Sequence, residues 1–478
     1  MNIDFTSVLP EIFLAALGIV VLVLDFFLGK KNKSALGYLS IVGLLVLLPI
    51  ICKSITPIPS FGGTVIADKF SAFFSIVFVI AAIFTVLISM DYLKKMNAHR
   101  GEYYPILLFA TLGMMVMATA NDLINFFVGL ELMALSFYVL VAFRVDNNRS
   151  VEGALKYFVL GALSSGIMLY GISFAYGFAG TTNIMDIGRQ AVAGQADSTF
   201  LILAIILIVV GFSFKLALFP FHMWSPDTYE GAPVPVAALL SVGSKAAAFA
   251  VLLRILIVAF PAFHPEWSSI LWVLSALTMV FGSVVALAQK KIVRMLAYSS
   301  IAHAGIIIMG LLAFNETGIS GILYYLLAYA FMNMGIFTLV ALFVRSDKRG
   351  ENISDYKGLA REHPILAALM TLFLLSLAGV PPTGGFVAKF FILASAIEAQ
   401  YYSLAIIGII ATAIALFFYA KVIFYIYMKE ADEGASMPGP CFSYKVVLFF
   451  TAAGTVILGI YPAPFVEMAV SAIKPFLT

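Results

Sequence analysis

A chain of 478 residues that is 62% apolar and only 11% charged, with a mean hydropathy of +1.05, cannot be a water-soluble globule, in which about a quarter of residues are charged. Backbone groups in lipid must be hydrogen-bonded within the protein, so only helices or closed barrels span a membrane, and the long unbroken apolar runs here exclude a barrel. The net charge of +3 says little, but the placement of the charges sets an orientation.

At about twenty apolar residues per crossing, spans are expected at 8–29, 35–52, 70–90, 103–120, 122–143, 154–179, 200–225, 233–260, 268–289, 292–314, 318–345, 363–398, 401–428 and 444–463. The prediction is an all-α integral membrane protein of about fourteen transmembrane helices, with residues 1–478 forming a single transmembrane domain. The first run follows Asp4 and Glu11 and precedes Lys30, Lys31 and Lys33, the reverse of a signal peptide's basic start, so it is expected to be retained. Loops after odd-numbered spans hold roughly 17 Lys and Arg, including Lys94, Arg100, Arg144, Arg149, Lys290, Arg294, Arg345, Arg361 and Lys429; the other loops hold about 4. The positive-inside rule then puts both termini on the non-cytoplasmic side. The loop after the seventh span, with Asp227 and Glu230 and no basic residue, is the exception.

Cys52 and Cys441 lie at opposite ends of the chain without metal- or cluster-type spacing, so no metal and no cofactor is expected on them. No Walker loop and no dinucleotide fingerprint is present, and no nucleic acid is expected as a partner.

The seventh and twelfth spans are long and contain helix-disrupting residues, Gly211 in one and Gly379, Pro381, Pro382, Gly384 and Gly385 in the other, so both are predicted to be discontinuous. Each predicted break is followed by G-F-x-x-K: Gly211-Phe212-Ser213-Phe214-Lys215 and Gly385-Phe386-Val387-Ala388-Lys389. The two phrases lie five spans apart, and an odd offset turns one copy upside down relative to the other, as in transporters built from inverted repeats. The repeats are expected over 103–260 and 268–428.

A charge near the bilayer centre costs at least about 2.5–3.5 kcal/mol on insertion scales and needs a partner, water or a function. Glu131, Lys215, Lys245, His303 and Lys389 lie near the middle of their spans, Lys156 lies nearer one end of the sixth, and Lys421 is inside the thirteenth. One buried Lys–Glu pair could be a fold-specifying ion pair, and His303 alone could be a satisfied core histidine. Lys156 and Lys421 could equally snorkel to an interface. A row on separate helices is more than packing needs. Burial disfavours an amine's charged form and a nearby carboxylate favours it. Opposite unit charges about 7 Å apart attract by roughly 2.4 kcal/mol at an effective dielectric of about 20, so opening or closing such a pair switches a lysine between holding and releasing its proton.

These residues lie in phrases that resemble the antiporter-like membrane subunits of respiratory complex I: Gly129-Leu130-Glu131-Leu132-Met133; Phe214-Lys215 through Pro220-Phe221-His222-Met223-Trp224-Ser225-Pro226-Asp227; Ala297-Tyr298-Ser299-Ser300-Ile301-Ala302-His303; and Leu377 through Phe386. The resemblance runs from about the third span to the thirteenth and implies fourteen helices, inverted repeats of helices 4–8 and 9–13, and broken helices 7 and 12. It also implies that flavin, iron–sulfur and quinone chemistry sits on partner subunits, with none of those cofactors on this chain. The chain itself would move protons in a bacterial cytoplasmic (inner) membrane beside other membrane-arm subunits in the lipid bilayer. By carry-over Glu131 and Lys215 resemble the family's glutamate–lysine pair, Lys245 its connecting lysine, Lys389 its terminal lysine and Lys156 the lysine near the pair; His303 is added as a relay candidate. The chain ends soon after its fourteenth span, unlike the largest paralogue, and carries Lys389 where the middle paralogue has glutamate, so its length and the Tyr298–His303 phrase are most similar to the third paralogue. It departs from many members at Leu240-Ser241-Val242, where they have a histidine, which puts more of the connection on Lys245 and water. Related chains also occur in multisubunit sodium/proton antiporters and membrane-bound hydrogenases, and an inert scaffold in such a complex is the structural alternative.

Overall fold

The computed structural model describes residues 4–29, 32–193, 198–344, 349–430 and 439–477. Lys30, Lys31, Arg345 and Lys348, which contribute to the charge asymmetry, lie outside the described residues. The chain opens with α1 (Leu9–Phe27) and α2 (Ser34–Lys53), followed by a short hairpin of β1 (Thr56–Ser60) and β2 (Val65–Ala67). Then come α3 (Lys69–Lys95), α4 (Tyr103–Thr119), α5 (Leu123–Val141), α6 (Asn148–Ala179), the short α7 (Ile184–Ala193), α8 (Ser198–Lys215) and α9 (Trp224–Gly231). Next, α10 (Val234–Leu239) and α11 (Lys245–Arg254) form one continuous helix interrupted by a π turn over Leu240–Ser244. The remainder is α12 (His264–Ala288), α13 (Ile292–Ala313), α14 (Glu316–Phe343), the one-turn α15 (Leu359–Glu362), α16 (Pro364–Ala378), α17 (Gly384–Glu398), α18 (Tyr402–Met428), α19 (Phe442–Ile460) and α20 (Ala463–Leu477).

Among the described residues, eleven helices are long and apolar enough to cross a membrane, and three apolar helices, Tyr103–Thr119, Thr199–Lys215 and Pro364–Ala378, are shorter. Each expected span overlaps one of these, but the spans expected at 200–225 and 363–398 run past the helices Thr199–Lys215 and Pro364–Ala378 into the following turns and helix. The helix Val234–Ala259 is wholly buried and α13 and α14 almost so, whereas only a third of α19 and of the Phe5–Phe27 segment is covered. The interior therefore lies around the eighth, tenth and eleventh spans, and apolar side chains such as Phe26, Phe417 and Phe449 point outward, as lipid requires. Helix starts are set by short polar side chains that satisfy the first free amides: Asp68 accepts from Ser71 N at 2.8 Å, Asp122 from Ile124 N at 2.8 Å and Asn315 from Gly318 N at 2.7 Å.

The two halves are built alike. The residue before α5 bridges to the segment after α6 (Asp122 with Asn183), and the residue before α13 bridges to the segment after α14 (Lys291 with Asn352), so both partners shift by the same 169 positions. The hydrogen bonds correspond one for one: Leu123 N to Thr182 O and Ile184 N to Asn121 O in the first half, Ile292 N to Glu351 O and Ile353 N to Lys290 O in the second. Glycines seat the preceding helix pair in each. A Cβ on Gly129 would lie 2.9 Å from Met117 N, and one on Gly282 would lie 2.7 Å from Ala302 N, so α4 and α5, like α12 and α13, touch backbone to backbone. In both halves the next span is the interrupted one.

The first interruption is not where the sequence places it. Gly211 lies inside α8, where a Cβ would meet the Met168 side chain of α6 at 2.6 Å, so this glycine serves helix packing. The helix ends only after Lys215. Ala217 adopts a left-handed φ of 56°, Leu218 N turns back to Ser213 O, and the Trp224 indole donates to Phe214 O at 2.9 Å. The second interruption follows α16, with Gly379 at φ 84°. Gly385 starts α17 so close to the Ser376 carbonyl that a Cβ would lie 1.9 Å from it. The two G-F-x-x-K phrases therefore stand on opposite sides of their breaks in sequence, since Lys215 precedes its break and Lys389 follows its own. In space they share a side. α8 starts and α17 ends at the face that carries the hairpin and α7, as the contacts of Asn315 with Ser395 and Glu398, His264 with Leu312, and Gly188 with Val258 connect those ends.

Candidate functional site

Glu131 stands two turns into α5, beyond the Gly129 contact that presses this helix onto α4. Among the described residues its buried Oε1 has no hydrogen-bond partner, and neither has the buried Lys215 ammonium at the last residue of α8. Among the described residues no ion pair within 4.0 Å joins the two. Glu131 nevertheless acts electrostatically on Lys215, and Phe214 places its ring 5.9 Å from the lysine Nζ. The two residues therefore lie within electrostatic reach of each other without a direct ion pair.

Lys245 begins α11 directly after the π turn, a local widening of the helix that recurs at functional positions because it re-aims side chains. Its ammonium donates to Ser300 Oγ at 2.6 Å and to the Ser300 carbonyl, and it lies 5.9 Å from the Tyr329 ring. In the π turn itself, Ser241 accepts a hydrogen bond from the Asn333 amide.

His303 is buried on α13. Its Nδ1 meets the Tyr325 hydroxyl at 2.5 Å and its Nε2 the Tyr419 hydroxyl at 3.3 Å, and Tyr419 also bonds Ser299. Its charged neighbours are Lys389 and Lys245. Lys389, in the second turn of α17, donates to the carbonyls of Leu377 and Ala378 at 2.9 and 3.0 Å, the last carbonyls of α16 that the break leaves without helical partners. Ser299, Ser300 and His303 therefore let one helix, α13, reach Lys245 on one side and the Tyr325–His303–Tyr419 cluster on the other.

Two predicted lysines fall elsewhere. Lys156 pairs with Asp227 at 2.6 Å and Glu152 at 2.7 Å, in a cluster where Arg294 bonds Asp227 and Glu230, Lys291 bonds Glu230, and Arg149 bonds Glu351. This cluster lies at the face opposite the hairpin and surrounds a polar cavity of about 200 Å³. Lys421 reaches the Gln289 carbonyl at the same face, at 3.3 Å. Both therefore have polar partners at this face, away from the buried row. Sequence reasoning missed Tyr325, Tyr329 and Tyr419, because a tyrosine in an apolar helix carries no insertion cost comparable to a charge.

Residues 120–415 match the family described as NADH:quinone oxidoreductase/Mrp antiporter, transmembrane. The chain belongs to this family. The match takes in Glu131, Lys156, Lys215, Lys245, His303 and Lys389 together. Among relatives, the NADH-quinone oxidoreductase subunit N of Trichlorobacter lovleyi is 44% identical over 99% of this chain and 98% of that one. The F(420)H(2) dehydrogenase subunit N of Methanosarcina mazei is 40% identical over 97% of each. Among solved structures, a chain of respiratory complex I from Thermus thermophilus superposes with a TM-score of 0.83 at 30% identity, covering 97% of this chain and all of that one. The family assignment accounts for an all-α, multi-pass membrane chain with interrupted helices.

Proposed function

We propose that this chain is a proton-translocating, subunit-N-type member of the membrane arm of a bacterial NADH:quinone oxidoreductase. In this reading fourteen segments cross the membrane, and residues 103–260 and 268–428 are inverted repeats, an assignment favoured by the matched backbone bridges at a shift of 169. The ion-cluster face is cytoplasmic, because the basic loops gather there, and both termini lie on the other side. Flavin, iron–sulfur and quinone chemistry belongs to partner subunits. The similarity to a subunit named for a different electron donor supports this division, since one type of chain serves two dehydrogenases.

The observation that carries the reading is the buried polar row from Glu131 and Lys215 through Lys245 and Ser300 to His303 and Lys389. Carboxylate, amine, imidazole and hydroxyl groups can each give up a proton and take one back. When Glu131 closes on Lys215, the attraction holds the lysine's proton; in the open arrangement that hold weakens and the proton can pass inward toward Lys245. Ser300, the tyrosines and His303 then connect Lys245 with Lys389. The test is Lys215→Ala in the assembled complex, reading proton uptake into vesicles per NADH oxidised. Uptake is expected to be lost with assembly intact. If the single variant fails to assemble while the double variant with Glu131→Ala assembles, the two residues form a structural pair.

The family description also covers Mrp antiporters, and a sodium/proton exchange reading predicts that uptake depends on sodium. Coupling that is unchanged in sodium-free medium excludes it.

A further inference from the structure

Outside the row, one buried carboxylate lacks a role. Glu11 lies in the first turn of α1, only 8% exposed, at the hairpin face. Its Oε1 accepts from Thr119 Oγ1 at 3.2 Å, and its Oε2 has no hydrogen-bond partner among the described residues. It lines a pocket between the starts of α1 and α3 and the ends of α2 and α4, which also admits Ser7, Ser54, Ser75 and Thr119. Ser54 is 2% exposed and its hydroxyl is likewise unpartnered. The pocket offers about 20 Å³, enough for roughly one water and too little for a hydrated cation.

The neighbouring carboxylate is committed. Asp68 receives both arms of Arg254, at 3.0 and 3.1 Å, and caps α3 through Ser71 N, so its oxygens are held by fixed donors. Arg254 lies on the same continuous helix as Lys245, nine residues nearer the hairpin face, about 13 Å along the axis. Its Nη2 also donates to the carbonyl of Ala118, next to Thr119, which bonds Glu11. Glu11 is thus the exchangeable acid beside a permanent ion pair, on the side of Lys245 where protons would leave. A carboxylate left this way is costly to keep for packing alone, because one acceptor remains unpaired in a buried site.

We infer that Glu11 is the proton-releasing group at the hairpin-face end of the first repeat, taking a proton from water in its pocket onto Oε2 and returning it to water on that side. Atoms and charge balance: hydronium and carboxylate become water and carboxylic acid, and the reverse step regenerates the carboxylate. Thr119 and Ser54 position the acid and its water. The inference rests on the proposed function.

The test is Glu11→Gln in the assembled complex, with Lys215→Ala measured alongside. Glutamine keeps the size and the acceptor for Thr119 but cannot exchange a carboxyl proton. Proton uptake per NADH is expected to be lost, and the infrared carboxyl band that changes during turnover in the wild type is expected to be absent. Normal uptake in Glu11→Gln together with loss in Lys215→Ala overturns the role of Glu11 alone. Normal uptake in both overturns the proton-translocating reading itself. Should Glu11→Gln not assemble, Thr119→Val, which removes the donor and leaves the acid, is expected to slow uptake, and an unchanged rate overturns the inference.

Discussion

Lys215 and Lys389 face the same side of the membrane from their two breaks yet have opposite surroundings. The first has no acceptor among the described residues, and the second rests on two carbonyls at the end of α16. A cation there is favoured by the free carbonyls and the helix dipole whether or not its proton ever moves. Lys389→Arg separates the two possibilities, because arginine keeps the charge and the donors but does not release a proton in proteins. Assembly is expected to be normal and proton uptake per NADH lost, whereas Lys389→Glu, which restores an exchangeable proton, is expected to recover part of it. Wild-type uptake in Lys389→Arg would show that the charge matters and the proton does not. The lysines, Glu131 and His303 were legible in the sequence because charge in an apolar span is expensive and stands out. The hydroxyls that join them were not, since serine and tyrosine are common in membrane helices and only the fold shows that Ser300 meets Lys245 and Tyr325 meets His303.

At the scale of elements, α9 is held by charge. Burial works against the ionised form of Asp227, but hydrogen bonds from Lys156 and Arg294 outweigh it and keep the carboxyl below its usual range; Lys291 and Arg294 do the same for Glu230. A carboxyl lowered in the folded state contributes stability above its unfolded value near 4, and that contribution is lost as pH falls through the lower folded value. The latch joining α6, α9 and α13 is therefore expected to persist through neutral and mildly acidic pH and to open only below about pH 4. Hydrogen exchange of the 224–231 segment checks this: protection lost already between pH 7 and 5 would contradict it. The spans themselves were readable from apolar run lengths alone. The place of the first break was not, because Gly211 packs against Met168 inside an intact helix, and the end of α8 is set by the Trp224 indole and the turn at Ala217. A glycine marks either a break or a close approach of helices, and sequence does not separate them. The π turn before Lys245 leaves no mark in Leu240–Ser244 either.

For the whole molecule, the decisive question is whether the two halves carry protons separately or as one row. The matched bridges at Asp122–Asn183 and Lys291–Asn352 show two similar frames, but the chemistry within them differs. Glu131 has its counterpart, at the same shift of 169, in Ser300, which bonds Lys245 of the first half. Lys245 in turn precedes, by the same 174 positions that separate Lys215 from Lys389, Tyr419, which bonds His303 of the second. The first half holds Glu131, Lys215 and Lys245, the second His303 and Lys389, and α13 supplies contacts to both. Two independent channels would each lose a share of transport when its own lysine is removed, so the double variant Lys215→Ala, Lys389→Ala would sum the single losses. A single row loses its function at the first gap, as groups that act as a unit do, and the second removal costs nothing more. The expected outcome is that proton uptake per NADH in the double variant equals that of the more impaired single variant, measured in complexes of equal assembly. Additive losses would assign one complete proton path to each half and would confine the hydrogen bonds through α13 to holding the two halves together.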